Sequence, residues 1–263
     1  MGGSEGYVLI GIGERYLQMA HNLANTIKKH GDNRGVVIIS KVDEKSNLYQ
    51  SCNTEFERCG TYPKITLDQY LPFDHNIFID ADALCIGDTQ HVWDIFRSSD
   101  QFIQQLGILE KDPSFHGHKY EKELGHDIPR VHGGCIYINR QTLDPKFFPW
   151  MRDFAFPNYT SIFHSSGLPY KNSRPDQPIY GLASGVWGLK PLDIYTTPVM
   201  TVVGEQKQLP IKQVFFNKKH GPTLDKHIPF VHVFRGQEGM AKGYNRGDQK
   251  MDLEHYRYYL NHE

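Results

Sequence analysis

The chain has 263 residues, and 29 Lys and Arg stand against 30 Asp and Glu, for a formal net charge of -1. That balance gives no support for an obligate nucleic-acid binder, and the length suits one large α/β domain able to bury a proper core. Four cysteines show no CxxC spacing and no partner pair at finger spacing, which argues against a zinc finger and fits reduced thiols in a cytoplasmic compartment.

Taken in order, Tyr7-Val8-Leu9-Ile10 reads as a first buried strand, closed by Gly11-Ile12-Gly13. From Tyr16 to His30 apolar residues recur at Leu17, Ala20, Leu23, Ala24 and Ile27, the spacing of a helix, which Gly31-Asp32-Asn33 ends. Val36-Val37-Ile38-Ile39 is a second strand, so the chain opens β-α-β and predicts a parallel pair joined by a right-handed crossover. The Gly-x-Gly turn lacks the third glycine of a dinucleotide fingerprint and reads as a nucleotide-approach loop. Residues 41 to 76 carry mixed loops and a helix, with Thr66 to Leu71 leading into a third strand.

That strand, Ile77-Phe78-Ile79, ends in Asp80-Ala81-Asp82. Open α/β sheets place their ligand crevice at the C-terminal ends of their strands. Two acids there, with no Lys or Arg near in sequence to pair them, repel each other unless a cation sits between them. Hard divalent cations take carboxylate oxygens and bridge to phosphate. Taken alone the pair is weak evidence, because a solvated turn after a strand has the same composition. Cys85 and Cys135 lie in apolar runs and read as small core residues. Val92 to Phe96 suits a short helix. Residues 110 to 130 are polar and carry His116, His118 and His126 without ligand spacing, as a solvated loop would.

Val131-His132-Gly133-Gly134-Cys135-Ile136-Tyr137-Ile138-Asn139 is a strand with a glycine pair near its start, where backbone passes close to a ligand or another strand. Ser173-Arg174-Pro175-Asp176-Gln177 opens a helix. Pro229 to Phe234 is a strand carrying the single His232. Beyond it Arg235, Lys242, Arg246 and Lys250 alternate with Gly236, Gly239, Gly243 and Gly247, a composition suited to a segment that closes over phosphates. No repeat or linker divides the chain, no apolar stretch reaches transmembrane length, and no signal pattern opens it, so a single cytoplasmic domain over 1–263 is expected, with a mobile segment 235–263.

The order of these features resembles the GT-A-fold glycosyltransferases, and most closely the retaining branch that includes glycogenin and bacterial galactosyltransferases, over roughly residues 7 to 245. The resemblance implies a single Rossmann-like α/β domain with a mixed, mainly parallel sheet flanked by helices. It also implies transfer from a nucleotide-sugar, usually a UDP-sugar, with Mn²⁺ or Mg²⁺ on the diphosphate. Asp80, Asp82 and His232 correspond to metal ligands, and Lys242 to the lysine on the donor phosphates. Gly11, Ile12, Gly13 and Tyr16 line the nucleotide pocket, Ala81 lies within the Asp-x-Asp motif, and Gly133 and Gly134 lie on the sugar side. Asp176 and Gln177 match the Asp-Gln pair beside the reacting sugar. The chain departs from the family at Gly13, where an acid reads the base, at His132, where Asn is usual, and around Lys242. The acceptor, whether a glycan, lipid-linked sugar, protein or modified nucleic-acid base, is left open. Two rivals are a sugar nucleotidyltransferase, whose signature loop would need more cations than Arg15, and a non-catalytic nucleotide-sugar-binding protein.

Overall fold

The computed structural model describes residues 3–108, 128–163, 173–194, 197–203 and 228–233. Strand β1 (Glu5–Ile10) pairs in parallel with β2 (Gly35–Ile39) on one side and β3 (His75–Ile79) on the other, with helix α1 (Glu14–Lys29) as the crossover. Strand β3 then pairs antiparallel with the long β6 (Arg130–Asn139), which pairs antiparallel with β5 (Ile103–Ile108), and β5 runs parallel to β7 (Leu192–Asp193). The resulting sheet has the order β2-β1-β3-β6-β5-β7, and three of its five pairings are parallel. A smaller sheet, β4-β9-β8, sets β9 (Phe230–Val233) between β4 (Ala83–Cys85) and β8 (Met200–Val203).

The central strands are apolar on both faces because helices cover both. Tyr7, Leu9, Ile77, Ile79 and Tyr137 join α1 and α4 (Gln90–Arg97) in one core, through Leu23, Ile27, Trp93 and Phe96. Val8, Phe78, Ile136 and Ile138 face a second core with α2 (Asn47–Gln50), α3 (Tyr62–Ile65), α5 (Phe147–Trp150), α6 (Phe156–Phe163) and α7 (Asp176–Val186). A strand alternates its side chains between faces, so double-sided burial demands the unbroken apolar runs seen in the sequence. The edge strand β2 differs: Val37 stays 36% exposed.

The expected mixed α/β sheet is present, as is each strand and helix start named above within the described residues. Cys85 and Cys135 are fully buried, and neither forms a disulfide. Residues 110 to 126, with His116, His118 and His126, and the segment 235–263 lie outside the described residues. No described helix is long and apolar enough to cross a membrane.

Candidate functional site

The two sheets meet at the end of β3. Asp80 is the first residue after that strand, and its backbone N–H donates to the Gly134 carbonyl at 3.0 Å, continuing the β3–β6 ladder by one residue. The turn Asp80–Ala83 then delivers Asp82 to the start of β4. Strand β9 pairs Ala83 with His232, so a histidine 150 positions away in sequence arrives beside Asp82 by strand register. His232 Nε2 lies 2.9 Å from Asp82 Oδ1 and 3.8 Å from Asp80 Oδ2.

The three potential ligand atoms of Asp80, Asp82 and His232 all lie within 4.8 Å of one another. An octahedral ion with bonds of about 2.1 Å places adjacent ligand atoms about 3 Å apart and opposite ones about 4 Å apart. The two separations above fall in that span. Two carboxylate oxygens with one imidazole nitrogen suit Mn²⁺ or Mg²⁺. The donor set therefore fits the ion that the sequence resemblance implies.

One expectation needs correction. The Asp pair is not without a cation: Lys64, on α3, reaches into the cluster. Its ammonium is 2.8 Å from Asp80 Oδ1, 3.0 Å from Asp176 Oδ2 and 3.2 Å from the Gly133 carbonyl, so its three protons meet three acceptors. Lys64 is only 8% exposed. Burial alone would pull its pKa down, but the Asp176 and Asp80 carboxylates override this and hold it above the ordinary lysine range. By occupying Oδ1 of Asp80, Lys64 leaves Oδ2 as the oxygen turned toward His232. One ammonium facing three carboxylates still leaves a two-unit negative excess before either nearby histidine is charged. A single divalent cation cancels it.

The crowding shifts the pKa values of its members. Burial raises the Asp80 pKa, with Asp82 adding to the rise and Lys64 opposing it. Burial also acts to raise that of Asp82, but His232 reverses the shift, and Asp82 is held below the usual carboxylate range. For His232, burial favours the neutral ring and is overridden by the Asp82 carboxylate, which raises its pKa. His132 lies against it, with Nε2 at 3.2 Å from His232 Nδ1, and burial together with the His232 and Lys64 charges pushes its pKa well down. His232 on β9 is thus a buried histidine engaged by both Asp82 and His132.

The glycine pair has a local reason. A Cβ on Gly133 would collide with Asp176 Oδ2, and one on Gly134 would sit 2.5 Å from His132 Cε1 and 3.1 Å from His232 Nδ1. The glycines let the Asp176 carboxylate and the histidine pair close onto β6. Asp176 opens α7, and the adjacent Gln177 also borders the space a Gly133 side chain would fill.

Lys64, Asp80 and Asp82 of the cluster line a cavity of about 1050 Å³. Ile12, Gly13 and Tyr16 line it with Lys64, Asp80, Ala81 and Asp82, whereas Gly11, Gly133, Gly134, Asp176, Gln177 and His232 are not among the lining residues. Gly13 adopts φ 85 and ψ 151, a region essentially restricted to glycine, so the turn into α1 accounts for its identity. Gly11 is packed against the backbone of Leu17. A further stretch of wall, Thr54, Glu55, Phe56, Cys59 and Gly60, was not legible as part of a site, nor were Lys64, Glu57 and Arg174. Lys242 lies outside the described residues.

Behind that wall, Glu57 is fully buried and Arg174 grips it with two guanidinium nitrogens, at 3.0 and 2.9 Å. Burial would raise the Glu57 pKa, but the Arg174 fork and backbone donors lower it instead.

No protein-family model and no curated protein matches the chain in sequence. Its fold, however, is similar to solved glycosyltransferase structures. The galactosyltransferase LgtC, in complex with donor and acceptor sugar analogues, superposes with a TM-score of 0.58 at 13% identity, covering 98% of this chain and 95% of that one. Mouse xyloside xylosyltransferase 1 gives 0.55 at 8% identity, over 87% of this chain and 97% of that one. GlyE of Streptococcus pneumoniae TIGR4 gives 0.54 at 12% identity, over 99% of this chain and 63% of that one. The chain therefore has the GT-A fold of these glycosyltransferases.

Proposed function

We propose that the protein is a metal-dependent glycosyltransferase that moves a sugar from a nucleoside-diphosphate donor, a UDP-sugar, to an acceptor hydroxyl with retention of configuration. The observation that carries this reading is the convergence of Asp80, Asp82 and His232 on one point, with both aspartates lining a large cavity. The LgtC complex with donor and acceptor sugar analogues supports the same use of the fold.

A Mn²⁺ or Mg²⁺ ion held by Asp80, Asp82 and His232 would supply the positive charge that stabilises the departing diphosphate. Ile12, Gly13 and Tyr16 receive the nucleotide, with Gly11 shaping the turn behind them. Lys64 bridges Asp80 and Asp176 and holds the two carboxylates apart. With Oδ2 engaged by Lys64, Asp176 is suited to bind sugar hydroxyls through its other oxygen rather than to act as a free nucleophile. Gln177 orients the sugar beside it, and Gly133 and Gly134 let both residues approach. In a retaining course the acceptor hydroxyl attacks from the face that the diphosphate leaves, so no powerful protein nucleophile is required. Lys242 completes the phosphate contacts in this reading. The acceptor belongs to one of four classes: glycan, lipid-linked sugar, protein or modified nucleic-acid base. A cytoplasmic site of action is part of the reading, and four cysteines outside any disulfide support it.

The test is a thermal-shift screen of UDP-, GDP- and ADP-sugars with Mn²⁺ and with EDTA. Ligand at a hundredfold excess over its Kd adds about 2.7 kcal/mol of stability. A UDP-sugar that stabilises the protein only with Mn²⁺ is the expected result. Equal shifts in EDTA, or none with any donor, would overturn the proposal.

A further inference from the structure

The Glu57–Arg174 pair stands behind the cavity wall and touches none of the metal-ligand candidates, yet it joins the two chain segments that supply Lys64 and Asp176. Glu57 opens a π-helical turn, Glu57–Thr61, that runs directly into α3 and Lys64. Arg174 lies two residues before Asp176. Resting on the glycosyl-transfer reading, we propose that Glu57 and Arg174 are positioning residues that fix the Lys64–Asp176 contact in register and so set the end of the cavity that receives the donor's sugar.

The contacts are directional. The Glu57 carboxylate accepts four hydrogen bonds: from Arg174 Nε at 3.0 Å, Arg174 Nη2 at 2.9 Å, the Arg174 backbone N–H at 2.8 Å and the Asn53 backbone N–H at 2.6 Å. Arg174 is fixed from other sides as well. Its guanidinium donates to the Ser51 carbonyl at 2.5 Å and lies 3.7 Å over the Phe156 ring, and its carbonyl accepts from the Thr61 hydroxyl at 2.8 Å. A paired fork sets rotation as well as distance, which apolar packing between two helices does not. Farther along, the Tyr180 hydroxyl on α7 donates to the Lys64 carbonyl at 2.7 Å. The Lys64–Asp176 ion pair thus sits between two cross-links joining the same segments. The wall residues Thr54, Glu55 and Phe56 immediately precede Glu57, and the Thr54 hydroxyl accepts the Glu57 N–H at 3.1 Å.

The nucleotide end of the cavity is built from a different part of the chain, residues 10 to 18 and 80 to 82. Loosening the clamp therefore affects the sugar end selectively. The experiment compares the wild type with Arg174→Lys, which keeps the charge and loses the fork, and with the milder Thr61→Val. Affinities for UDP, UDP-glucose and UDP-galactose are measured with Mn²⁺, together with turnover of whichever sugar nucleotide is used. The expected result for Arg174→Lys is UDP affinity within about twofold of wild type and turnover lowered roughly 10- to 100-fold, since misplacement by about 1 Å has that effect. Thr61→Val shows the same pattern to a lesser degree. Equal weakening toward UDP and the sugar nucleotides would mean the pair merely supports the fold. Unchanged turnover in both variants would also overturn the role. A wild type that binds none of the three would overturn the UDP-sugar reading, and this role with it.

Discussion

Lys64→Met is the sharpest probe of how the cluster is held. Methionine matches the length of the lysine stem but removes the ammonium and its three hydrogen bonds. Asp176, only 5% exposed, would lose its cation, while the Asp80 side chain, 21% exposed, keeps some access to water. Removing one partner of a buried ion pair costs about 3–5 kcal/mol, and the partial solvation of Asp80 points to the lower end, about 3 kcal/mol. For a protein of this size that corresponds to a fall in Tm of roughly 6–12 °C. The assay is urea and thermal unfolding in EDTA, so that no added ion compensates the lost charge. Adding Asp176→Asn to Lys64→Met should recover about 1 kcal/mol or more, because the two sites are in contact and the uncompensated charge is removed. The gap between variant and wild type should also narrow as pH falls from 7, because unpaired buried carboxylates have raised pKa values and take up protons first. A Lys64→Met protein within about 0.5 kcal/mol of wild type, or no recovery in the double variant, would refute the reasoning.

Asp82→Asn and His232→Ala should each weaken Mn²⁺ binding by about 10–100-fold, read by calorimetry without any substrate. Equal Mn²⁺ affinity in both variants would remove them from the metal site. Gly133→Ala should displace the Asp176 carboxylate and cost about 1–3 kcal/mol in urea unfolding, and a fully stable variant would contradict the close approach. Glu57 has a folded pKa below its ordinary 4.5, so its ionised form adds stability above that pH and the benefit disappears as pH falls through the folded value. Glu57→Gln should therefore be less stable than wild type at pH 7, with the difference shrinking below about pH 4. A difference that grows on acidification would have the wrong sign.

Much of the frame was legible because the sequence places unlike chemistry at the ends of apolar runs. The β-α-β opening, Asp80-Ala81-Asp82 after β3 and His232 within β9 are such local contrasts. Lys64 was not legible in this way. It sits 16 positions before Asp80 on a four-residue helix, and only the three-dimensional fold turns it inward. A lone cation flanked by Tyr62, Pro63 and Ile65, all buried, was the one available signal. The Glu57–Arg174 pair spans 117 positions, and no spacing rule connects residues that far apart. His132 was noticed as a departure from the family pattern, but its contact with His232 depends on how β9 pairs with β4 across the sheet junction. Where function depends on cross-chain geometry, residue type marks the candidate and strand register decides the partner.

The central claim, metal-dependent transfer from a nucleotide-sugar, is tested most directly by following nucleoside diphosphate release from UDP-glucose and UDP-galactose. The reaction is run with Mn²⁺, with EDTA, and with the Asp82→Asn variant. The account predicts UDP release by the wild type with Mn²⁺, none above background in EDTA, and a loss of at least about tenfold for Asp82→Asn. Undiminished release in EDTA, or pyrophosphate production from UTP and a sugar phosphate in place of UDP release, would contradict it.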